Sequence, residues 1–234
     1  MSAWLVLRHA QDERDLQPRF VALALAFGLA AVVPLRAGSV SGVVRAVTRA
    51  GGAAAIAVVY AEPIDSAAPR VPKRLTLAQK NKTFQPRVLA VPLGSTVEFP
   101  NNDGLYHNVF SLSAPQPFDL GLYRSGDSRS RTFTAPGVYR VFCNIHPQMS
   151  AVVVVAPTAF ATVAATDGRY TLDLPAGRYR VTALSERAAP VSVEVASTQG
   201  ATSVPELTLD ESQWMAAQHK NKFGQEYPAA EYKR

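Results

Sequence analysis

A single cysteine, Cys143, serves a chain of 234 residues, so no internal disulfide can form. Charge is not clustered either: Lys and Arg outnumber Asp and Glu by 24 to 18, yet no run reaches five like charges. The basic stripe that tracks nucleic acid is therefore absent, and the mild positive excess suits an acidic protein partner or an anionic membrane surface. No apolar stretch attains the ~20 residues that a membrane-spanning helix needs. The histidines are only His9, His107, His146 and His219. Neither a Ser-His-Asp set, nor a carboxylate pair, nor a second cluster of metal-ligating residues can be assembled, which points away from an enzyme.

Near the N-terminus, residues 20–33 form an uncharged apolar run, preceded by Arg19 and followed by Pro34, Leu35, Arg36 and Ala37. A positive flank, a short apolar core and a closing small residue are the layout of a secretory signal helix, with cleavage near Ala37/Gly38. An uncleaved segment anchoring the chain at the membrane surface is the alternative. Residues 1–18 carry Asp12, Glu13 and Asp15, fit a signal poorly, and read as an extension ahead of the true start. Removing residues 1–37 takes away four basic and three acidic side chains, so the basic excess survives. Periplasmic or other exported localisation follows, and there an unpaired thiol needs an occupant.

From Gly38 onward the texture is β. Val40–Val47 is rich in β-branched residues, Gly51 and Gly52 punctuate, and Ala53–Tyr60 is a second apolar run. Residues 63–81 read as a linker, with Leu75–Lys82 open between a short helix and an irregular lead-in. Val97 and Phe99 alternate with Thr96 and Glu98 as in a half-buried strand, bracketed by Pro92 and Pro100. His107–Ser111 and Phe118–Tyr123 are further strands. Arg131–Thr134 and Val138–Phe142, joined at Pro136 and Gly137, predict a hairpin that runs into Cys143, and Ala151–Val155 predicts a fully buried strand. Short strands separated by turns imply an all-β sandwich or barrel.

Within Val141–Met149, Cys143 is followed at steps of three by His146 and Met149. A lone Cys is ordinarily a small buried hydrophobe, and a lone Met ordinarily fills a core. Their common spacing with a His on one loop is what sets them apart. Thiolate, imidazole and thioether make a soft, mixed ligand set that suits copper, and His107 on an upstream strand completes it. Two His, one Cys and a weak axial Met are the ligands of a blue-copper electron-transfer site. Zinc through His107, Cys143 and His146 is the chemical alternative, though Met is a poor zinc ligand. A two-copper centre would need a second thiolate and is excluded by the cysteine count. His9 lies in the removable segment, and His219, between Gln218 and Lys220, reads as solvated surface.

Residues 82–156 resemble a cupredoxin, the blue-copper Greek-key β-sandwich shared by plastocyanin and amicyanin. The resemblance rests on Gly94, Thr96 and Val97 in one strand, on Asn101-Asn102, on His107-Asn108-Val109, on Pro136, Gly137 and Tyr139, and on Phe142-Cys143. The short Cys143, His146, Met149 loop, with Pro147 after its His, is similar to the amicyanin group. This implies one copper ion held by His107, Cys143 and His146, with Met149 as a long axial ligand, cycling between Cu(I) and Cu(II). It implies that Asn108, not itself a ligand, tethers the Cys loop from behind. It also implies that an electron leaves through the exposed edge of His146, with Pro147 and nearby apolar residues as the docking patch for a cytochrome or dehydrogenase.

The flanks carry a second resemblance. Asp167-Gly168 with Tyr170, then Pro175, Gly177 and Tyr179, resemble the later strands of a carboxypeptidase regulatory-like module, and Gly42-Val43-Val44 with Ala53–Tyr60 resemble its opening. Asp167-Gly168 predicts a hairpin turn. The organisation expected is a signal at 1–37, first strands of the module at 38–62, the linker, a cupredoxin domain at 82–156, the rest of a transthyretin-like sandwich at 157–209, and a tail at 210–234 that starts with a short helix. In the alternative, residues 38–61 are the first strands of the cupredoxin itself. Pairing of 53–60 with 179–183 favours insertion, and pairing of 40–47 with 151–155 favours the alternative. The whole chain resembles exported methylamine-utilisation-type proteins. One-electron transfer is the leading function, and copper delivery or partner docking by a scaffold is the second.

Overall fold

The computed structural model describes residues 38–49, 52–216 and 218–228; the expected signal segment 1–37 lies outside them. Among the described residues every regular element is a strand. The chain opens with β1 (Gly38–Thr48) and β2 (Val58–Pro63). It continues through β3 (Arg74–Thr76), β4 (Ala78–Lys80), β5 (Thr83–Gln85), β6 (Val88–Pro92) and β7 (Thr96–Pro100). Next come β8 (His107–Ser111), β9 (Phe118–Tyr123), β10 (Ser128–Thr132), β11 (Gly137–Phe142) and β12 (Ser150–Ala156). It closes with β13 (Ala161–Val163), β14 (Arg169–Leu174), β15 (Gly177–Leu184), β16 (Val191–Ser197), β17 (Ala201–Ser203) and β18 (Leu207–Glu211).

The middle of the chain builds a sandwich from a five-stranded sheet, β6-β12-β11-β8-β9, and a three-stranded sheet, β10-β7-β3. Alternation in β7 turns Val97 and Phe99 inward, both fully buried, and leaves Thr96 and Glu98 half-exposed. β12 is buried on both faces, which explains why Ala151–Val155 has no polar member. One face meets the core of Leu77, Phe99, Val109, Phe133, Tyr139 and Cys143. Val152 and Val154, on the other face, join Val58, Val88 and Leu184 in a second cluster.

The flanking segments build a second pair of sheets around their own core, which includes Val40, Val59, Tyr170, Leu172, Val181 and Leu209. β1 pairs with β14 from Gly38↔Leu174 to Val43↔Arg169, and also with β17 and β18. β2 pairs with β15 from Val58↔Leu184 to Pro63↔Tyr179. Residues before and after the middle sandwich are thus hydrogen-bonded to each other, and β12 pairs with β11 and β6 rather than with β1. Gly42 gives Tyr170 room across this pairing, since a Cβ would lie 2.7 Å from the Tyr170 hydroxyl and one of the two would have to shift. Between the two sandwiches, half-buried Glu186 receives Arg87 at 2.7 Å and Arg140 at 3.3 Å.

Several local expectations are corrected by these pairings. Residues 74–80, read as linker or helix, form β3 and β4; β3 adds to β7 in parallel and β4 pairs with β5. The segments either side of Pro136-Gly137 do not form a hairpin, since β10 pairs with β7 and β11 with β12 and β8. Phe133 and Tyr139 face each other across the core, edge to face at 5.0 Å, and the Tyr139 hydroxyl donates to the Ala135 carbonyl at 3.0 Å. Their inward faces send the two strands to opposite sheets. Asp167-Gly168 does make a tight turn, with Gly168 at φ +83° and its N–H on the Ala165 carbonyl, but β13 and β14 then join different sheets. The helix expected from Asp210 is absent: Asp210 and Glu211 extend β18 alongside Val47 and Thr48.

Candidate metal centre

The sheet register assembles the site. His107 opens β8, Cys143 follows the last residue of β11, and His146 and Met149 lie in the connection to β12. β8 and β11 run antiparallel with Phe110 opposite Phe142, so the chain leaving β11 passes the start of β8. Two main-chain bonds shape the connection: the Met149 N–H donates to the His146 carbonyl at 2.9 Å, and the Cys143 N–H to the Met149 carbonyl at 3.3 Å. A three-residue step from Cys to His to Met is what allows that compact closure.

His107 Nδ1 and His146 Nδ1 are 3.1 Å apart, and each lies 3.7 Å from Cys143 Sγ. These separations fit a single cation, since ~2.0 Å bonds to nitrogen and ~2.3 Å bonds to thiolate, the lengths found at zinc, would let one ion reach all three atoms. Two imidazole nitrogens and one thiolate would hold a soft cation such as copper, to which a thioether is a suitable weak further donor. These three side chains are the cluster able to hold a metal ion among the described residues. Met149 is 1% exposed and shares the apolar core with Cys143.

Asp103, which the sequence analysis does not single out, governs the first of these side chains. Its Oδ2 lies 2.7 Å from His107 Nε2. A carboxylate only accepts, so Nε2 carries the hydrogen and the Nδ1 lone pair is left facing Cys143 and His146. His107 is fully buried, so this is the one direction in which its N–H is satisfied. Burial pushes the Asp103 carboxyl up, but the Lys82 N–H, the His107 ring and the Asn81 N–H together hold it below its usual range. The only advance signal was an acid four residues ahead of a strand-opening His.

Burial also pushes the Cys143 thiol up, opposed by the backbone N–H groups of Asn108, Ile145 and His146. Those three donors favour the thiolate, the form that binds metal. Desolvation, then the neighbouring His107 and Lys82, lower the His146 pKa, which keeps its ring neutral and its lone pair available. The Asn108 amide does not reach the loop; its Nδ2 donates to Asp119 at 2.6 Å, and its main-chain N–H is what meets the Cys143 sulfur.

The rim departs from expectation at two residues. Pro147 is buried, so it contributes no exposed surface, whereas Leu105, Tyr106 and Ile145 are 45%, 55% and 46% exposed beside His107 and His146 in sequence. His219, expected as solvated surface, is half-buried. It stacks on Phe142 at 3.8 Å between centroids, and its Nε2–H donates to the Pro147 carbonyl at 2.7 Å.

Comparison with known proteins bears on this arrangement. Residues 73–156 match the family of copper-binding proteins described as plastocyanin/azurin. Over 75 residues, 31% of this chain, the sequence is 36% identical to amicyanin-alpha of Methylorubrum extorquens, and spans 63% of that protein's length. Over 107 residues, 42% of this chain, it is 33% identical to a chloroplastic plastocyanin of Oryza sativa subsp. indica and spans 70% of it. Among solved structures, a copper-containing nitrite reductase from Thermus scotoductus is 30% identical over 41% of this chain and 25% of that one, with a TM-score of 0.34.

Proposed function

This chain belongs to the copper-binding plastocyanin/azurin family, and we propose that its middle sandwich holds one copper ion between His107, Cys143, His146 and Met149 and carries single electrons in an exported compartment. The observation that carries this reading is the convergence of two imidazole Nδ1 atoms and one thiol sulfur within 3.7 Å of one another, in a pocket walled by the core. When bound, copper supplies a one-electron Cu(I)/Cu(II) couple. The protein's part is to hold the donors still. Asp103 fixes the His107 tautomer, the main-chain N–H groups of Asn108, Ile145 and His146 stabilise the Cys143 sulfur, and β8 and β11 anchor the two ends. Donors held by a rigid sandwich change little between oxidation states, so little reorganisation opposes transfer.

His146 is the half-buried ligand, and exposed Ile145 beside it, with Leu105 and Tyr106 beside His107, offers an apolar rim to a redox partner such as a cytochrome or a dehydrogenase. The pairing of β1 with β14 and β2 with β15 supports an organisation in which this domain is inserted into a host sandwich. The apolar run at 20–33 supports export.

Copper(II) loading of the purified protein, read by visible and EPR spectra, tests the proposal. An intense thiolate-to-copper band that is absent in Cys143→Ala is the expected result, with reversible bleaching on reduction. A colourless complex with copper would refute a blue-copper centre, and ready surrender of Cu(I) to an acceptor with no reversible cycling would favour copper delivery instead.

A further inference from the structure

The C-terminal segment makes contacts that the copper reading does not require. Trp214 lies beneath Arg187 of the second sandwich, with the guanidinium 4.1 Å from the ring centroid. Farther on, residues 219–222 lie along the ligand loop. His219 stacks on Phe142, the residue before Cys143, and donates to the carbonyl of Pro147, the residue after His146. The Lys222 N–H donates to Asn144 Oδ1 at 2.9 Å, one residue past Cys143. Lys222 Nζ donates to Asp119 at 2.8 Å, and Asp119 in turn accepts from Asn108, whose own N–H meets the Cys143 sulfur. Asn221 keeps the turn compact, its Oδ1 accepting the N–H groups of Phe223 and Gln225. Buried Tyr227 packs edge-to-face on His219 at 5.3 Å.

We infer that residues 219–227 are a strap that fastens the Cys-to-Met loop from outside, with His219 and Lys222 as positioning residues that set how readily the loop opens. Each fastening point lies one residue from a ligand, at Phe142, Asn144 and Pro147, or one bond from a donor to the sulfur at Asp119. No core strand of the middle sandwich depends on these contacts, since its sheet bonds are complete without them. Loosening the strap therefore frees the loop while leaving the sandwich intact. Trp214, ahead of the strap in the chain, is held separately under Arg187 of the second sandwich.

The inference rests on the copper reading only for its consequence, and its first test needs no metal. Hydrogen exchange of the Cys143 and Met149 amides is measured in the metal-free full-length protein and in His219→Ala, with Val153 in β12 as the internal reference. Loss of the Pro147 bond and the Phe142 stack is expected to speed loop exchange about 5–10-fold, the scale of one hydrogen bond, with Val153 unchanged. Lys222→Met, which keeps its main-chain bond, is expected to give a smaller change of the same kind. Exchange that stays at the wild-type rate in the loop of both variants, or rises equally in Val153, overturns the strap. In copper-loaded protein His219→Ala is expected to lose metal to a chelator faster with its spectrum little altered; unchanged release would show that the strap does not govern the ligands. A colourless wild-type complex would sink the copper reading and leave the exchange result standing.

Discussion

Substituting Asp103 by Ala isolates one contact and has two readouts. In the wild-type protein Asp103 Oδ2 takes the Nε2–H of a His107 that is fully buried. Removing the carboxylate leaves that N–H with no acceptor, and a hydrogen bond to a charged group contributes ~1.5–3 kcal/mol. The Lys82 and Asn81 N–H groups also lose Asp103, but both are exposed and regain water, so they add little. Metal-free Asp103→Ala is therefore expected to unfold with a stability lower by about 2 kcal/mol in denaturant titration. In the same variant the ring can turn or adopt the other tautomer, and loss of an outer partner to a ligating His typically costs 10–100-fold in metal affinity, which is ~1.4–2.8 kcal/mol. Copper competition against a chelator of known affinity measures this. Asp103→Asn keeps an oxygen acceptor without its charge and is expected to fall between wild type and Ala in both assays. Wild-type copper affinity in Asp103→Ala would refute the claim that this carboxylate presents Nδ1 to the metal.

Two further outcomes follow from named contacts. Gly42→Ala forces a Cβ against the Tyr170 hydroxyl and is expected to destabilise the protein by ~1–3 kcal/mol through overpacking, with the copper spectrum unchanged; an unshifted melting temperature would show that Tyr170 gives way freely. Burial raises the Asp119 carboxyl, but the Lys222 amine, the Asn108 amide and the Gly121 N–H outweigh it and hold it below its usual range. The folded pKa is thus below the unfolded one, so its contribution is present above the ordinary value of ~3.9 and lost as pH falls through the folded value. The stability gap between wild type and Asp119→Asn is expected to close in that acidic window, and a gap that widens in acid would reverse the sign.

Features that depend on nearest neighbours along the chain were legible in the residues alone. Alternation located β7, an uninterrupted apolar run located β12, and the three-residue steps from Cys143 located the ligand loop, because strand period and loop closure are local properties. His107 was within reach because it opens a strand of that pattern. The turns at Pro136-Gly137 and Asp167-Gly168 were also legible, but not their consequence. A turn sets the direction of a short stretch of backbone, while the choice between a hairpin and a crossing of the sandwich is made by which side chains find the core, here Phe133 and Tyr139.

Only the tertiary structure decided what lies behind and outside the ligands. Asp103, Asp119 and His219 have no pattern that marks them, since what each does depends on a partner brought close by folding: Asp103 under the His107 ring, Asp119 between Asn108 and Lys222, and His219 on Phe142, 77 positions away in sequence. Pro147 shows the same limit from the other side, buried where the resemblance implied an exposed docking patch. The donor types proposed to hold copper were written into nine consecutive residues and one distant His. Their tautomer, their hydrogen-bonded surroundings and the segment laid across them depend on strand register and on where residues 219–227 return, and both are settled by tertiary packing.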